Sequence, residues 1–233
     1  MIDFQNVRND LRNISDFSRV DILQRFFKTK KGEYGEGDIF LGIFVPNIRK
    51  IAKKYSNLYI EDIKELLYSK IHEERLCALL ILVNQFEKGN EAKKAKVFNF
   101  YIKNVCQANN WDLVDLSAPK IVGMYLLNRK KEILYKFTES KNLWKKRVSV
   151  ISTFAFIKEG EFKDTLKISK ILLKDEHDLI QKAVGWMLRE VGKRDFLVLE
   201  NFLKKNHKDM SRTTLRYSIE KFPESKRLFW LRK

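Results

Sequence analysis

The sequence predicts an all-α chain, an α-solenoid assembled from two-helix repeats, and three observations predict it. Apolar residues recur at three- and four-residue spacings along nearly the whole chain, and no period-two alternation reads as a strand. The links between these segments are short. A helix–link–helix pattern then returns at a near-constant interval, marked by Arg75, Trp111, Arg147 and Lys182, which stand thirty-six, thirty-six and thirty-five residues apart.

Taken in order, residues 3 to 27 read as helix, because Phe4, Val7, Leu11 and Ile14, then Val20, Leu23, Phe26 and Phe27, keep a helical stripe. Asp16 or Ser18 is placed to break it in two. The segment from Lys28 to Val45 holds Gly32, Gly35, Gly37 and Gly42, too much glycine for a helix and too long for a tight turn. Its acids Glu36 and Asp38 make it a poor phosphate cradle, so it reads as a shaped loop. Pro46 suits the first turn of a helix running to about Tyr55. Helices follow over 60–69, 72–88, 90–107, 111–128, 129–139, 143–158, 162–174, 178–193, 195–205 and 210–221. The expected organisation is one domain over 1–233: N-terminal helices with the glycine-rich loop at 28–45 occupy 1–58, and helical repeats occupy 59–233.

A two-helix unit at this interval matches the HEAT-like class of repeats. One helix pair cannot bury its apolar face alone, whereas a stack of pairs makes a continuous core and a concave side lined by second helices. Residues one period apart then stand in a row, which predicts Trp111, Asp115, Arg147, Lys182 and Trp186 in one basic groove, with Arg75 at the head of the row. Asn109 or Asn110 caps the helix that opens at Trp111. On that helix Trp111 and Asp115 lie at i and i+4, so an aromatic plate and a carboxylate share a face. Asp112, in the first turn, suits the helix dipole and reads as structural. Core packing is the competing reading for Trp111 and Trp186, and an ion pair with Lys120 or Arg147 is the competing reading for Asp115.

Composition narrows the partners. Lys and Arg number 47 against 30 acidic residues, a formal net charge of +17, which favours a polyanion: nucleic acid first, an anionic membrane surface second. With 44% hydrophobic residues and three prolines the chain is neither disordered nor fibrous. Cys77 and Cys106 lack metal-ligand spacing and read as reduced core thiols. His72, His177 and His207 lie far apart with no second ligand, so no metal site is expected, and no glycine-rich phosphate motif calls for a cofactor. No basic stretch followed by an apolar core opens the chain, and no uncharged run approaches the roughly 20 apolar residues that span a bilayer. The reading expects a soluble, cytoplasmic protein.

Three motifs, in order, carry a resemblance that covers most of the chain. They are Trp111-Asp112-Leu113-Val114-Asp115, then Trp144 with Arg147, then the run from Gln181-Lys182-Ala183 through Trp186 to Arg189-Glu190. Gly37 to Ile43, with Pro46 and Arg49, precedes them. In these the chain resembles the AlkD-type DNA alkylation repair proteins, HEAT-repeat DNA glycosylases that remove alkylated purines. The resemblance implies that Asp115 is the catalytic carboxylate, that Trp111 and Trp186 are aromatic walls around the damaged nucleotide, and that Arg147 contacts phosphate. Lys182, Arg189, Lys193 and Lys120 join Arg147 as expected DNA contacts. The partner implied is double-stranded DNA, bound by a monomer without metal or cofactor.

The implied chemistry is hydrolysis of the N-glycosidic bond of a cationic alkylpurine of the 3-methyladenine or 7-methylguanine type, without flipping the base into a pocket. Such a base leaves without protonation, so one carboxylate suffices to stabilise the sugar cation. Two other readings compete. One is a non-catalytic HEAT-repeat module that recognises distorted or branched DNA by shape. The other is a scaffold for an acidic protein, which leaves the paired tryptophans and the central carboxylate unexplained.

Overall fold

The computed structural model describes residues 3–232, and it is all-helical apart from one isolated parallel bridge between Ile39 and Ile71. The chain divides into two compact units, Met1–Ile121 and Val122–Lys233.

The first unit holds α1 (Phe4–Asn13), α2 (Val20–Phe26), α3 (Val45–Lys54), α4 (Ile60–Leu67), α5 (His72–Lys88), α6 (Glu91–Lys103) and α7 (Trp111–Ala118). Asp3 caps α1 and exchanges bonds with Asn6, which makes a reciprocal capping box. The expected break falls at Asp16, whose carboxylate caps a short 3₁₀ turn at Phe17–Arg19. Pro46 sits in the first turn of α3, where its missing N–H costs nothing. The 17-residue α5 is buried on all sides, with α3, α4, α6 and α7 packed around it. Its first turn is acidic, which suits the dipole, and both acids are used. Glu74 pairs with Arg8 at 2.9 Å, and Glu73 gathers the backbone N–H groups of Leu41, Gly42 and Ile43.

Glu73 therefore holds the end of the glycine-rich loop. The loop is also tied by Ile39, which donates to the Lys70 carbonyl and accepts from His72 N–H at 2.8 Å. Gly42 is in the left-handed region with φ +83, and a Cβ there would strike the Asp16 carbonyl oxygen. Both effects oppose any side chain. Gly42→Ala is expected to cost at least about 2 kcal/mol of unfolding free energy, read by urea denaturation. An unchanged midpoint would show that the loop is not integral to the fold.

The second unit holds α8 (Met124–Leu126), α9 (Glu132–Thr138), α10 (Leu143–Ser152), α11 (Phe154–Lys158), α12 (Lys163–Leu172), α13 (Asp178–Arg194), α14 (Phe196–Asn206), α15 (Arg212–Ser218) and α16 (Glu224–Arg232). The 17-residue α13 is its organising helix, packed by α10, α12, α14 and α15. Gly185 lets α15 approach closely: a Cβ there would meet the Tyr217 side chain and the Thr214 carbonyl.

The helix–link–helix copies read from the sequence are present as α4/α5, α9/α10 and α12/α13, each a packed pair. Three details differ. The helix expected over 111–128 passes through a π turn at Pro119–Gly123, because proline has no N–H to continue the ladder. The helix expected over 143–158 breaks at Thr153, whose hydroxyl bonds back to the Val150 carbonyl at 2.7 Å. An additional helix, α16, follows the last one expected, with Trp230 buried in it. Cys106 corrects the expectation of two core thiols: Cys77 is buried, whereas Cys106 is exposed on a 3₁₀ turn at Val105–Gln107.

Candidate functional site

In the first unit the site is built at the start of α7. Asn110 is fully buried and caps the helix, its side-chain oxygen accepting from Trp111 N–H at 2.8 Å. Its amide donates to Asp38 Oδ2 at 3.4 Å. Asp112 turns inward, accepting from Leu113 N–H at 2.9 Å and meeting His72 Nε2 at 2.8 Å. The other ring nitrogen of His72, Nδ1, meets Asp38 Oδ2 at 3.2 Å, and Arg75 closes the cluster at 2.7 Å from Asp38 Oδ1. Burial alone would lower the His72 pKa. The charge and hydrogen bond of Asp112, with the hydrogen bond of Asp38, outweigh burial and raise it to about 9. Asp38 is buried too, which disfavours its charge, yet His72 and Arg75 hold its carboxyl below the usual range. The first turn of α7 is thus anchored from beneath by a charged, buried network.

Aromatic rings set the plane of Trp111. Its indole lies parallel to Phe27 at 5.2 Å and 10°, and Phe26 meets it edge-on at 5.7 Å. Phe27 stacks on Phe40, and Phe40 stacks on His72 at 4.5 Å. Trp111 is the half-buried end of this column. One turn along α7, Asp115 is also half-buried. It lies within electrostatic reach of the fully buried Tyr101, whose pKa burial raises first and the Asp115 charge raises further. Tyr101 therefore stays a neutral phenol, sharing a 2.9 Å hydrogen bond with Ser117. Lys120, on the π turn, pairs with Glu87 at 3.4 Å.

Arg75 corrects the expected row. It marks the repeat, but its side chain is buried with Asp38 and donates to the Ser69 carbonyl, so it presents no cation to a groove.

In the second unit, Asn142 caps α10 through the N–H groups of Trp144 and Lys145. Trp144 is buried, and so is Arg147, whose guanidinium donates to the Leu179 carbonyl in the first turn of α13. Lys182, Trp186, Arg189 and Lys193 follow at spacings of four, three and four along α13 and share a face. Trp186 is half-buried against Phe154, with ring centroids 6.0 Å apart. Lys182 pairs with Asp178 at 2.6 Å, Lys193 pairs with Glu190 at 2.7 Å, and Arg189 pairs with Glu220. These acids hold the cations at fixed positions along the face.

A model of the DNA alkylation repair enzyme family matches residues 7–222, nearly the whole chain. The chain belongs to that family. Among solved structures, this DNA alkylation repair family member is similar to a predicted DNA alkylation repair enzyme from Enterococcus faecalis. The likeness covers 90% of this chain and 97% of that one, with 16% sequence identity and a TM-score of 0.69. At that identity the likeness is one of fold. No curated protein matches the chain.

Sequence reasoning placed Trp111 and Asp115 on one face of a capped helix, and it read Asp112 as structural. It missed what holds them in this family member: Asp38, His72, Phe27, Phe40 and Tyr101. The only signal for these lay in the aromatic and acidic content of 26–40 and in the polar first turn of α5. Among the described residues no group of three His, Cys, Asp or Glu side chains is arranged to hold a metal ion, and no helix is long and apolar enough to cross a membrane.

Proposed function

We propose that this DNA alkylation repair family member is a monofunctional DNA glycosylase, which hydrolyses the N-glycosidic bond of cationic alkylated purines in duplex DNA. The observation that carries the reading is the pair on α7: a half-buried carboxylate, Asp115, one turn from an indole whose plane the Phe27 stack fixes.

The reaction builds positive charge on the deoxyribose as the bond to the base lengthens. A purine alkylated at N3 or N7 already carries a positive charge, so the electron pair of the breaking bond neutralises it and no acid is required. Asp115 stabilises the sugar cation and orients the attacking water, taking up its proton. Trp111 packs against the sugar, excludes bulk water and offers its π face to the developing charge, and in the second unit Trp186 offers an aromatic surface to the DNA beside Lys182 and Arg189. Lys182, Arg189, Lys193 and Lys120 contact the phosphate backbone, which binds DNA without reading its sequence, whereas the expected phosphate contact Arg147 is buried and ties α10 to the first turn of α13. Trp111 and Asp115 are both partly exposed, which suits a sugar approached at the surface and a base that is not drawn into a pocket.

This mechanism has no group to activate a neutral leaving base. Duplexes carrying single 3-methyladenine, 7-methylguanine or uracil residues are therefore expected to divide sharply. Chromatography of the released bases should show the two cationic purines, with uracil at the level of the enzyme-free control. Uracil released at a rate comparable to 7-methylguanine would remove the single-carboxylate mechanism.

A further inference from the structure

A second basic feature lies in the second unit, between α15 and α16. Arg212, Arg216, Tyr217 and Arg227 line an open hollow of about 350 Å³, together with Glu220, Ile219 and Leu231. Its guanidinium groups are organised. Arg212 donates to the Leu231 carbonyl, and Arg227 is gripped by Glu224 through two hydrogen bonds. Glu220 does not neutralise the hollow, because its carboxylate is shared by Arg189 and Lys221. Burial opposes its charge, but those two cations hold its pKa below the usual range. Arg216 and Tyr217 are exposed, and their side chains make no hydrogen bond or ion pair among the described residues.

The chemistry this arrangement takes is a phosphate group. Guanidinium forks match phosphate oxygens in pairs, and a phenol adds one more donor. Free phosphate and a DNA phosphodiester share that chemistry, and position favours DNA. Tyr217 packs on Gly185, which is buried and points about 100° around α13 from Trp186, so α15 flanks α13 beside the face that carries Lys182, Trp186 and Arg189. Arg189 itself reaches Glu220, which lines the hollow. The hollow is thus continuous with that face. We propose that Arg212, Arg216 and Tyr217 form a phosphate site that grips a backbone phosphodiester of duplex DNA. The proposal rests on the DNA-binding part of the functional reading and is independent of catalysis.

The test is binding of undamaged duplex DNA, followed by fluorescence anisotropy over a range of salt concentrations, with the full chain and with Arg216→Gln and Tyr217→Phe. Each neutralised phosphate contributes about 0.9 to the slope of log affinity against log salt. Arg216→Gln is expected to reduce the slope by about one and to weaken binding severalfold. Tyr217→Phe is expected to weaken binding with the slope unchanged, since it removes a donor but no charge. Both residues are exposed, so circular dichroism and melting should match the parent. An unchanged slope and affinity in Arg216→Gln would overturn the proposal. So would titration with inorganic phosphate that saturates the site while duplex binding stays intact, because the ligand would then be a free phosphate. Loss of glycosylase activity plays no part in this readout, so failure of the catalytic reading and failure of this one are separable.

Discussion

Asp115→Asn is expected to lower the single-turnover rate of 7-methylguanine release by about a thousandfold while duplex binding stays intact or tightens slightly. Asparagine keeps the shape and one hydrogen-bonding oxygen of aspartate, so it removes little besides the charge. A carboxylate about 4 Å from a sugar cation, at an effective dielectric of about 20, contributes about 4 kcal/mol. That energy corresponds to about three orders of magnitude in rate. The neighbouring Tyr101 is a buried neutral phenol and cannot take over the charge. Binding follows the opposite trend, because removing a negative charge from a chain of net charge +17 does not repel a polyanion. Equal release by the parent and the variant would take Asp115 out of the chemistry.

The second large effect concerns stability. His72 is buried between Asp112 and Asp38, and its pKa of about 9 lies above the ordinary value of 6.5. The folded state therefore binds the proton more tightly than the unfolded state. The resulting stabilisation, about 3 kcal/mol, is fully present below about pH 6.5 and is lost as pH rises through about 9. His72→Gln leaves Asp38 with Arg75 but takes the cation from Asp112, so a loss of about 3 kcal/mol at pH 7 is expected. The variant should also lose most of the fall in stability that the parent shows between pH 7 and 10. Urea denaturation across that range checks both points, and parallel pH profiles for parent and variant would exclude a charged His72.

The helical periodicity made most of the architecture legible, because each pair buries one apolar stripe and the stripe recurs in sequence. Legibility fails where a side chain's direction depends on residues distant along the chain. Arg75 occupies the repeat position that the spacing predicts, but Asp38, thirty-seven residues earlier, draws it inward. The column from Trp111 through Phe27 and Phe40 to His72 joins three segments that no local pattern links. In α16 the apolar residues Leu228, Phe229, Trp230 and Leu231 are consecutive, not spaced by three and four, so no helical stripe announced it. Trp111 and Asp115 were readable for a local reason: a capping asparagine and an i, i+4 spacing depend on nothing beyond one turn of helix.

The most direct test of the proposed function is release of free 7-methylguanine from a duplex carrying that one lesion, followed by chromatography with duplex binding measured in the same buffer. The predicted result is free base accumulating well above spontaneous depurination, with an abasic site left in an unbroken strand. Salt-sensitive binding of the duplex with no release of 7-methylguanine, and none of 3-methyladenine, would contradict it. The chain would then be a DNA-binding module that keeps the fold of the alkylation repair family without the glycosylase reaction.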